Sequence, residues 1–383
     1  MSATGPDLPR LRAVPTDQLV AALGEALAGG PPIAPLPAAP LERTQALGLL
    51  RLDQPVTEPD AAAIVATSGS TGQPKAVVLS RAALRASVAA TQTRLGGPGD
   101  WVLALPGHYV AGLMVIARAV VSGTRVLTAR PDLGDLATVA VETTGRRYIS
   151  LVPTQLARSR AAGVWDVLAG FDAVLIGGGP LTPDLLVAAK AAGINVITTY
   201  GMAETCGGCV YDGRPLDGVR VVLADDGRIM IGGPVLSSGY RLRPDLTAAS
   251  RAGDFLLTAD RGRWIDERLE VLGRLDEVMI TGGLKVDLGQ VERLVRGWAG
   301  RRGGDGLAVG VPDADWGTRI VAVSDVPGEL EDLQREVRAV LPGYAAPRAL
   351  RHLNPLPRLA SGKPDRQTIA AMIANESVEV VPG

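Results

Sequence analysis

Nine consecutive residues, Thr67-Ser68-Gly69-Ser70-Thr71-Gly72-Gln73-Pro74-Lys75, bring together two glycines, four hydroxyls and an ammonium. Glycine lets backbone approach a charged ligand closely, and the amides, hydroxyls and lysine can then surround phosphate oxygens. The order is not that of a Walker loop, in which lysine and a serine or threonine follow the second glycine directly. Here Gln73 and Pro74 intervene. A second constellation is Cys206-Gly207-Gly208-Cys209. This spacing suits a redox pair, half of a zinc site, or two small buried or loop thiols. A four-ligand zinc site would need further ligands at suitable spacing, and the chain's histidines, His108 and His352, lie far away in sequence.

These groups need a frame. The phosphate-binding string follows a short apolar run, Ala61–Ala66, and precedes another, Ala76–Leu79. Further runs of buried-strand type are Trp101–Leu105, Arg125–Leu127, Tyr148–Val152, Ala173–Ile176 and Asn195–Thr199. Helical patterns cover Leu19–Leu27 and, between the strands, Arg81–Arg94, Gly112–Ser122, Thr154–Arg160 and Pro183–Ala192. The last opens with Thr182 as N-cap and Pro183 at the first helical position. Such alternation predicts a largely parallel sheet covered by helices. The pattern changes after Asp217. Val219–Leu223 and Arg228–Ile231 flank Asp225-Asp226-Gly227 as a hairpin, and Phe255–Thr258, Arg263–Ile265 and Leu269–Leu272 read as further short strands. Beyond Arg274 a mixed pattern returns, with helices near Leu288–Arg296, Leu330–Val340 and Gln367–Asn375 and strands near Leu307–Val311 and Arg319–Val323. The expected fold class is α/β. A large N-terminal domain, 1–274, carries parallel α/β layers and a small antiparallel β subdomain at about 217–274. It is hinged to a small C-terminal α+β domain, 275–383.

The chain has 383 residues, 39 Lys+Arg against 40 Asp+Glu, and a net charge of −1. That balance excludes a general nucleic-acid or anionic-membrane binder. No apolar run approaches the roughly 18 residues of a spanning helix; Gly112–Val121 is short and contains Arg118. The N-terminus does not have the pattern of a signal peptide, so a cytoplasmic location is expected. Only Lys75, Lys190, Lys285 and Lys363 are lysine, the other cations being arginine.

The 67–75 string resembles the phosphate loop of the adenylate-forming superfamily: acyl-CoA synthetases, adenylation domains and luciferases. The other stations of that family follow in order. Gly177-Gly178-Gly179-Pro180 and Tyr200-Gly201-Met202-Ala203-Glu204-Thr205 each follow a strand. Thr258-Ala259-Asp260 matches the family's Thr-Gly-Asp with alanine in the middle. Gly273-Arg274-Leu275-Asp276 and Gly282-Gly283-Leu284-Lys285 match the hinge and the loop after it, and Pro357 to Lys363 matches the C-terminal catalytic loop. The loop begins earlier in the chain than is usual in the family, so a truncated first subdomain is expected.

The resemblance implies ATP, Mg²⁺ and coenzyme A as reactants and cofactor, and a small carboxylic acid as substrate. It implies that Thr67, Ser68, Gly69, Ser70, Thr71, Gly72 and Lys75 hold phosphates. Gly177, Gly178, Gly179, Thr199, Tyr200, Gly201 and Thr205 then surround the nucleotide, Tyr200 against adenine. Glu204 would hold Mg²⁺, a hard cation that favours carboxylate and phosphate oxygens. Asp260 would take both ribose hydroxyls, having two acceptor oxygens. Arg274 would support ribose or phosphate, a structural hinge salt bridge being the alternative. Lys363 would bridge the attacking carboxylate and the α-phosphate, a task suited to a compact, mobile ammonium. Rotation about Asp276 would exchange Lys363 for Gly283 and Lys285, which line a thiol tunnel. A homodimer stays open.

Leu105 to Gly112 holds no acid for a substrate ammonium but contains His108, as in aryl- and acyl-CoA ligases. His108 would then gate or position the acyl carbonyl. Ser150 to Leu156, Thr198 to Cys206 and Tyr211 to Leu216 resemble the o-succinylbenzoate–CoA ligases of menaquinone biosynthesis. An aromatic carboxylate would sit against Gly201, Met202 and Gly207. Another aryl- or acyl-CoA ligase, a non-catalytic nucleotide-binding module and a phosphotransferase are the competing readings.

Overall fold

The computed structural model describes residues 8–67, 74–359 and 364–376. Two large sheets stack with helices between and outside them. In the first, strands Arg12–Val14, Ile33–Pro35 and Ala61–Thr67 run parallel. Lys75–Ser80 and Gly239–Tyr240 continue it antiparallel. The second sheet has the order Arg214–Pro215, Gly207–Tyr211, Val196–Met202, Ala173–Ile176, Arg147–Leu151, Asp100–Leu103, Val126–Thr128. The last five are parallel, and the first two form an antiparallel edge.

The parallel strands are apolar on both faces because both faces are covered, as parallel sheets require. Trp101, Leu103, Tyr148, Leu175 and Ile197 face helices Leu19–Leu27, Arg81–Leu95 and Val110–Ser122, which lie between the two sheets. The alternate residues Val102, Ile149, Leu151, Val174 and Ile176 face Leu136–Val141, Pro153–Ala161, Trp165–Ala169 and Pro183–Ala191. Helix Pro40–Leu50 covers the outer face of the first sheet through Ala46 and Leu50. Arg118 interrupts the most apolar helix. It is buried, lies 4.8 Å over the Trp101 ring and donates to the Tyr211 hydroxyl.

A third, antiparallel sheet contains the hairpin Arg220–Leu223/Arg228–Gly232 and the pair Phe255–Ile265/Arg268–Arg274. The sequence reading placed two short strands in the range 255–265. They are one strand of eleven residues with a register shift between Arg261 and Gly262, so the apparent break is a bulge. Beyond it come a two-stranded hairpin, Val278–Thr281/Leu284–Asp287, and a three-stranded sheet, Gly306–Asp313, Gly317–Ser324 and Ala349–His352. Helices Leu288–Gly300, Leu330–Arg338 and Arg366–Glu376 pack on that sheet. Among the described residues the buried members of each core cluster come either from 11–269 or from 286–373. Thr182 does stand at the N-cap before Pro183, but its side chain makes no capping hydrogen bond. No described helix is long and apolar enough to cross a membrane.

The N-terminal segment is pinned by one buried guanidinium. Arg241, with a fully buried side chain, donates to the carbonyls of Leu50, Arg51, Gln54 and Pro55. Those are the last carbonyls of helix Pro40–Leu50 and the loop after it, groups no helix can satisfy internally. Arg241→Met should therefore orphan several buried acceptors at once and lower the unfolding free energy by about 3 kcal/mol. Urea denaturation checks it; a change under about 0.5 kcal/mol would contradict the pinning role.

Candidate active site

The site gathers where Val196–Met202 leaves the second sheet. The strand turns through a short 3-10 segment, Ala203–Thr205, and returns as Gly207–Tyr211. The turn is tight enough to demand glycine. A Cβ on Gly201 would lie 2.1 Å from the Gly207 carbonyl oxygen, and one on Gly177, at the end of the adjacent strand, 2.3 Å from Thr199 Oγ1. Thr205 is fully buried. Its hydroxyl accepts from Met202 N at 2.9 Å and donates to the Gly207 carbonyl at 2.7 Å. That side chain is thus spent on shaping the turn that presents Glu204.

Two clusters of the expected residues form around this turn. In one, the Tyr200 hydroxyl donates to Asp260 Oδ2 at 2.7 Å. Asp260 lies directly across its strand pair from Arg274, whose guanidinium is 3.6 Å from Asp260 Oδ1. Arg274 also makes a two-pronged bond to Asp276, 2.8 Å from Nε and 2.6 Å from Nη2. Arg274 thus faces two carboxylates at once. Burial and the adjacent Asp260 carboxylate push the Tyr200 hydroxyl far up, so it stays a donor at any working pH. In the other cluster, Glu204 Oε1 accepts from the Tyr240 hydroxyl at 2.8 Å, and the Lys75 ammonium stands 5.0 Å over the same tyrosine ring. Thr67, just before the loop, donates to the Lys75 carbonyl.

His108 lies apart from both clusters in its described contacts. Its ring is 4.2 Å from that of Tyr109, and Nε2 is 4.0 Å from Glu42 with no hydrogen-bond partner. Desolvation by burial lowers it to about 4, so the ring is neutral at pH 7. Met202 and Gly207 pair across the turn. Gly283 and Lys285 lie on an exposed hairpin of the C-terminal part. Ser68, Gly69, Ser70, Thr71, Gly72 and Lys363 lie outside the described residues. Cys206 and Cys209 are buried free thiols. Burial pushes Cys209 up to about 12 and Cys206 further, and the described residues include no cluster of three metal-ligating side chains. Both thiols thus lie in the core rather than on an exposed loop. Lys190 is exposed on a cleft of about 700 Å³ with Arg94, Asp212, Arg214 and Arg268. Arg268 and Arg274 are opposite ends of one strand, roughly 20 Å apart at about 3.3 Å per residue, so the Arg268 side of that cleft lies well away from Asp260, while Thr198 on its other side is two residues from Tyr200.

Tyr240 was missed in the sequence. It stands in Ser238-Gly239-Tyr240-Arg241, a stretch with no motif of its own. Only the pairing of Gly239 and Tyr240 with Val78 and Val77 brings it beside Lys75.

Comparison with known proteins places these residues in context. The model of the AMP-binding enzyme family matches residues 13–241. A protein of Mycobacterium tuberculosis named "Probable 2-succinylbenzoate--CoA ligase" is 41% identical over 94% of this chain and 97% of its own length. The 2-succinylbenzoate–CoA ligase of Enterococcus faecalis is 29% identical over 84% of this chain and 72% of its own. In fold, the chain matches the o-succinylbenzoate CoA synthetase of Bacillus subtilis with its acyl-adenylate intermediate. There the TM-score is 0.75 at 24% identity, over 94% of this chain and 82% of that one. An amide bond synthetase of Marinactinospora thermotolerans gives a TM-score of 0.77 at 19% identity, over 96% and 97%. The chain belongs to the AMP-binding enzyme family.

The neutral state of His108 has a measurable sign. Its folded value, about 4, lies below the ordinary 6.5, so between those values the unfolded chain binds the extra proton. Stability should fall on acidification from pH 6.5 towards 4, by up to about 3 kcal/mol. His108→Gln should flatten that part of the profile in denaturation curves taken across the range; an unchanged slope would mean that His108 titrates normally.

Proposed function

We propose that this member of the AMP-binding enzyme family is an ATP-dependent 2-succinylbenzoate–CoA ligase serving menaquinone biosynthesis. The observation that carries this reading is the match at 41% identity across 97% of the length of a relative bearing that name. The reading requires two steps. A carboxylate oxygen bonds to the α-phosphorus of ATP and pyrophosphate leaves. The coenzyme A sulfur then bonds to the acyl carbon and AMP leaves.

Little covalent work falls to the protein, so alignment and charge neutralisation must supply the rate. In this reading Asp260, steadied by Tyr200 and Arg274, receives the ribose hydroxyls. Residues 68–72 and Lys75 hold the outer phosphates. Glu204 is the residue to hold Mg²⁺. Its donor set fits: a half-buried carboxylate whose Oε2 receives no hydrogen bond from the described residues, and which belongs to no group of three or more acid, histidine or cysteine side chains among them. A lone carboxylate is suited to a cation that shares its remaining ligands with phosphates and water. When bound, the cation offsets phosphate charge as pyrophosphate departs. Lys363 bridges the attacking carboxylate and the α-phosphate. His108, uncharged, positions the acyl group without attracting its carboxylate away from phosphorus, and Gly201, Met202 and Gly207 border the ring.

The division into 1–274 and 275–383 belongs to the same proposal. It is supported by the separation of the buried cores and by the short 3-10 segment Leu275–Glu277 between them. Rotation at Asp276 would withdraw Lys363 and bring in Gly283 and Lys285, a hinge closure of known type.

The direct test is a carboxylate panel assayed for pyrophosphate release with and without coenzyme A. With 2-succinylbenzoate, pyrophosphate should be released, and AMP and thioester should appear together only when coenzyme A is present. ADP formation would point to phosphotransfer, and turnover of simple benzoates alone would select a different aryl-CoA ligase. Lys363→Ala should lower adenylation by about 10²–10³-fold while still transferring a pre-made acyl adenylate to coenzyme A. Equal loss of both half-reactions would contradict the two-pose scheme.

A further inference from the structure

Tyr240 joins two groups that the reading above uses separately. Its hydroxyl donates to Glu204 Oε1 at 2.8 Å. The Lys75 ammonium stands 5.0 Å from its ring centroid, within cation–π range. Tyr240 is itself immobile. It is 8% exposed, its backbone is paired with Val77, and its amide donates to Thr247 Oγ1 at 2.9 Å. The next residue is the buried Arg241 anchor. Glu204 is fixed at its backbone as well, since its carbonyl accepts from Ser237 N at 2.8 Å. The same two segments, 203–205 and 237–240, therefore meet at a backbone bond and at a side-chain bond.

We propose that Tyr240 is a positioning residue that sets the divalent-cation and polyphosphate geometry of the site. Its hydroxyl holds one carboxylate oxygen of Glu204 and so turns the other toward the cation. Its ring face holds the Lys75 ammonium beside the phosphate loop. A carboxylate that ligates a cation through one oxygen gains affinity when its other oxygen is fixed, because less side-chain freedom is lost on binding. A lysine that is parked over a ring is likewise placed before the nucleotide arrives. The two functions are chemically separable, since phenylalanine keeps the ring and loses the hydroxyl. This inference rests on the assignment of the cation to Glu204.

The test measures binding of Mn²⁺ in place of Mg²⁺ to the full chain carrying a non-hydrolysable ATP analogue. Free Mn²⁺ is read by electron paramagnetic resonance, which needs no turnover. Tyr240→Phe should weaken Mn²⁺ binding by about ten- to a hundredfold, the usual worth of a hydrogen bond to a charged group. Affinity for the analogue without metal should be unchanged. Tyr240→Leu should weaken both. In turnover, Tyr240→Phe should raise the Mg²⁺ concentration for half-maximal rate and leave KM for the carboxylate unaltered, a split that general loss of structure would not give. If Glu204→Gln weakens Mn²⁺ binding and Tyr240→Phe does not, the positioning role is overturned and the cation assignment stands. If Glu204→Gln binds Mn²⁺ as the wild type does, the assignment itself falls, and the role of Tyr240 with it.

Discussion

Everything at this site depends on a place where two stretches of backbone run too close for a side chain. Gly201 faces the Gly207 carbonyl at a separation that leaves no room for a methyl group. The close approach lets the strand double back after the three-residue turn at 203–205. Tyr200 then lies on one side of the turn and Glu204 at its tip. Had the return strand stood a normal distance away, Tyr200 would not meet Asp260 from the third sheet, and Glu204 would not meet Tyr240 from the first. Three separate sheets are tied at one corner by two tyrosine hydroxyls, each aimed at a carboxylate.

The layers around this corner were legible because they obey simple periodicities. Leu19–Leu27 and Ala173–Ile176 match the sequence pattern to the residue, and most of the other helices and parallel strands that the pattern predicts lie within two, whereas helices Pro40–Leu50, Leu136–Val141, Trp165–Ala169 and Pro244–Ala249 give no clear period. Burial on both faces makes a parallel strand an unbroken apolar run, and a covered helix keeps its 3.6-residue spacing. The losses have physical causes. Arg12–Val14 and Ile33–Pro35 are only three residues long and sit among prolines, so no period can develop. Gly207–Tyr211 begins with two glycines, which read as loop although they are required by the close approach to Gly201. The strand 255–265 looked broken at Asp260 because a bulge puts a charge and a glycine, Arg261 and Gly262, in its middle.

The motif residues were easier to find than their partners. Asp260 and Arg274 announce themselves in sequence, but that they face each other follows only from strand register. Tyr240 carries no local signal, because its importance lies in the pairing of residues 239–240 with 77–78, far away along the chain. Glu42, facing His108, comes from helix Pro40–Leu50, a stretch with no motif to draw attention to it. The same holds for the lysines. Lys75 is in place over a ring, whereas Lys190 borders a basic cleft with Arg94, Arg214 and Arg268.

Arg274 divides its guanidinium between two carboxylates, with Nε and Nη2 on Asp276 and Nη1 turned to Asp260. In the proposed function one of these acids receives the ribose, while the other lies in the segment between the two cores. Any swing about that connection must change how much positive charge the first acid feels. Thermodynamic reciprocity then requires that whatever neutralises or occupies Asp260 also shift the balance of the swing. If the two parts move as proposed, a single cation shared between two acids would make the pocket and the joint one coupled equilibrium.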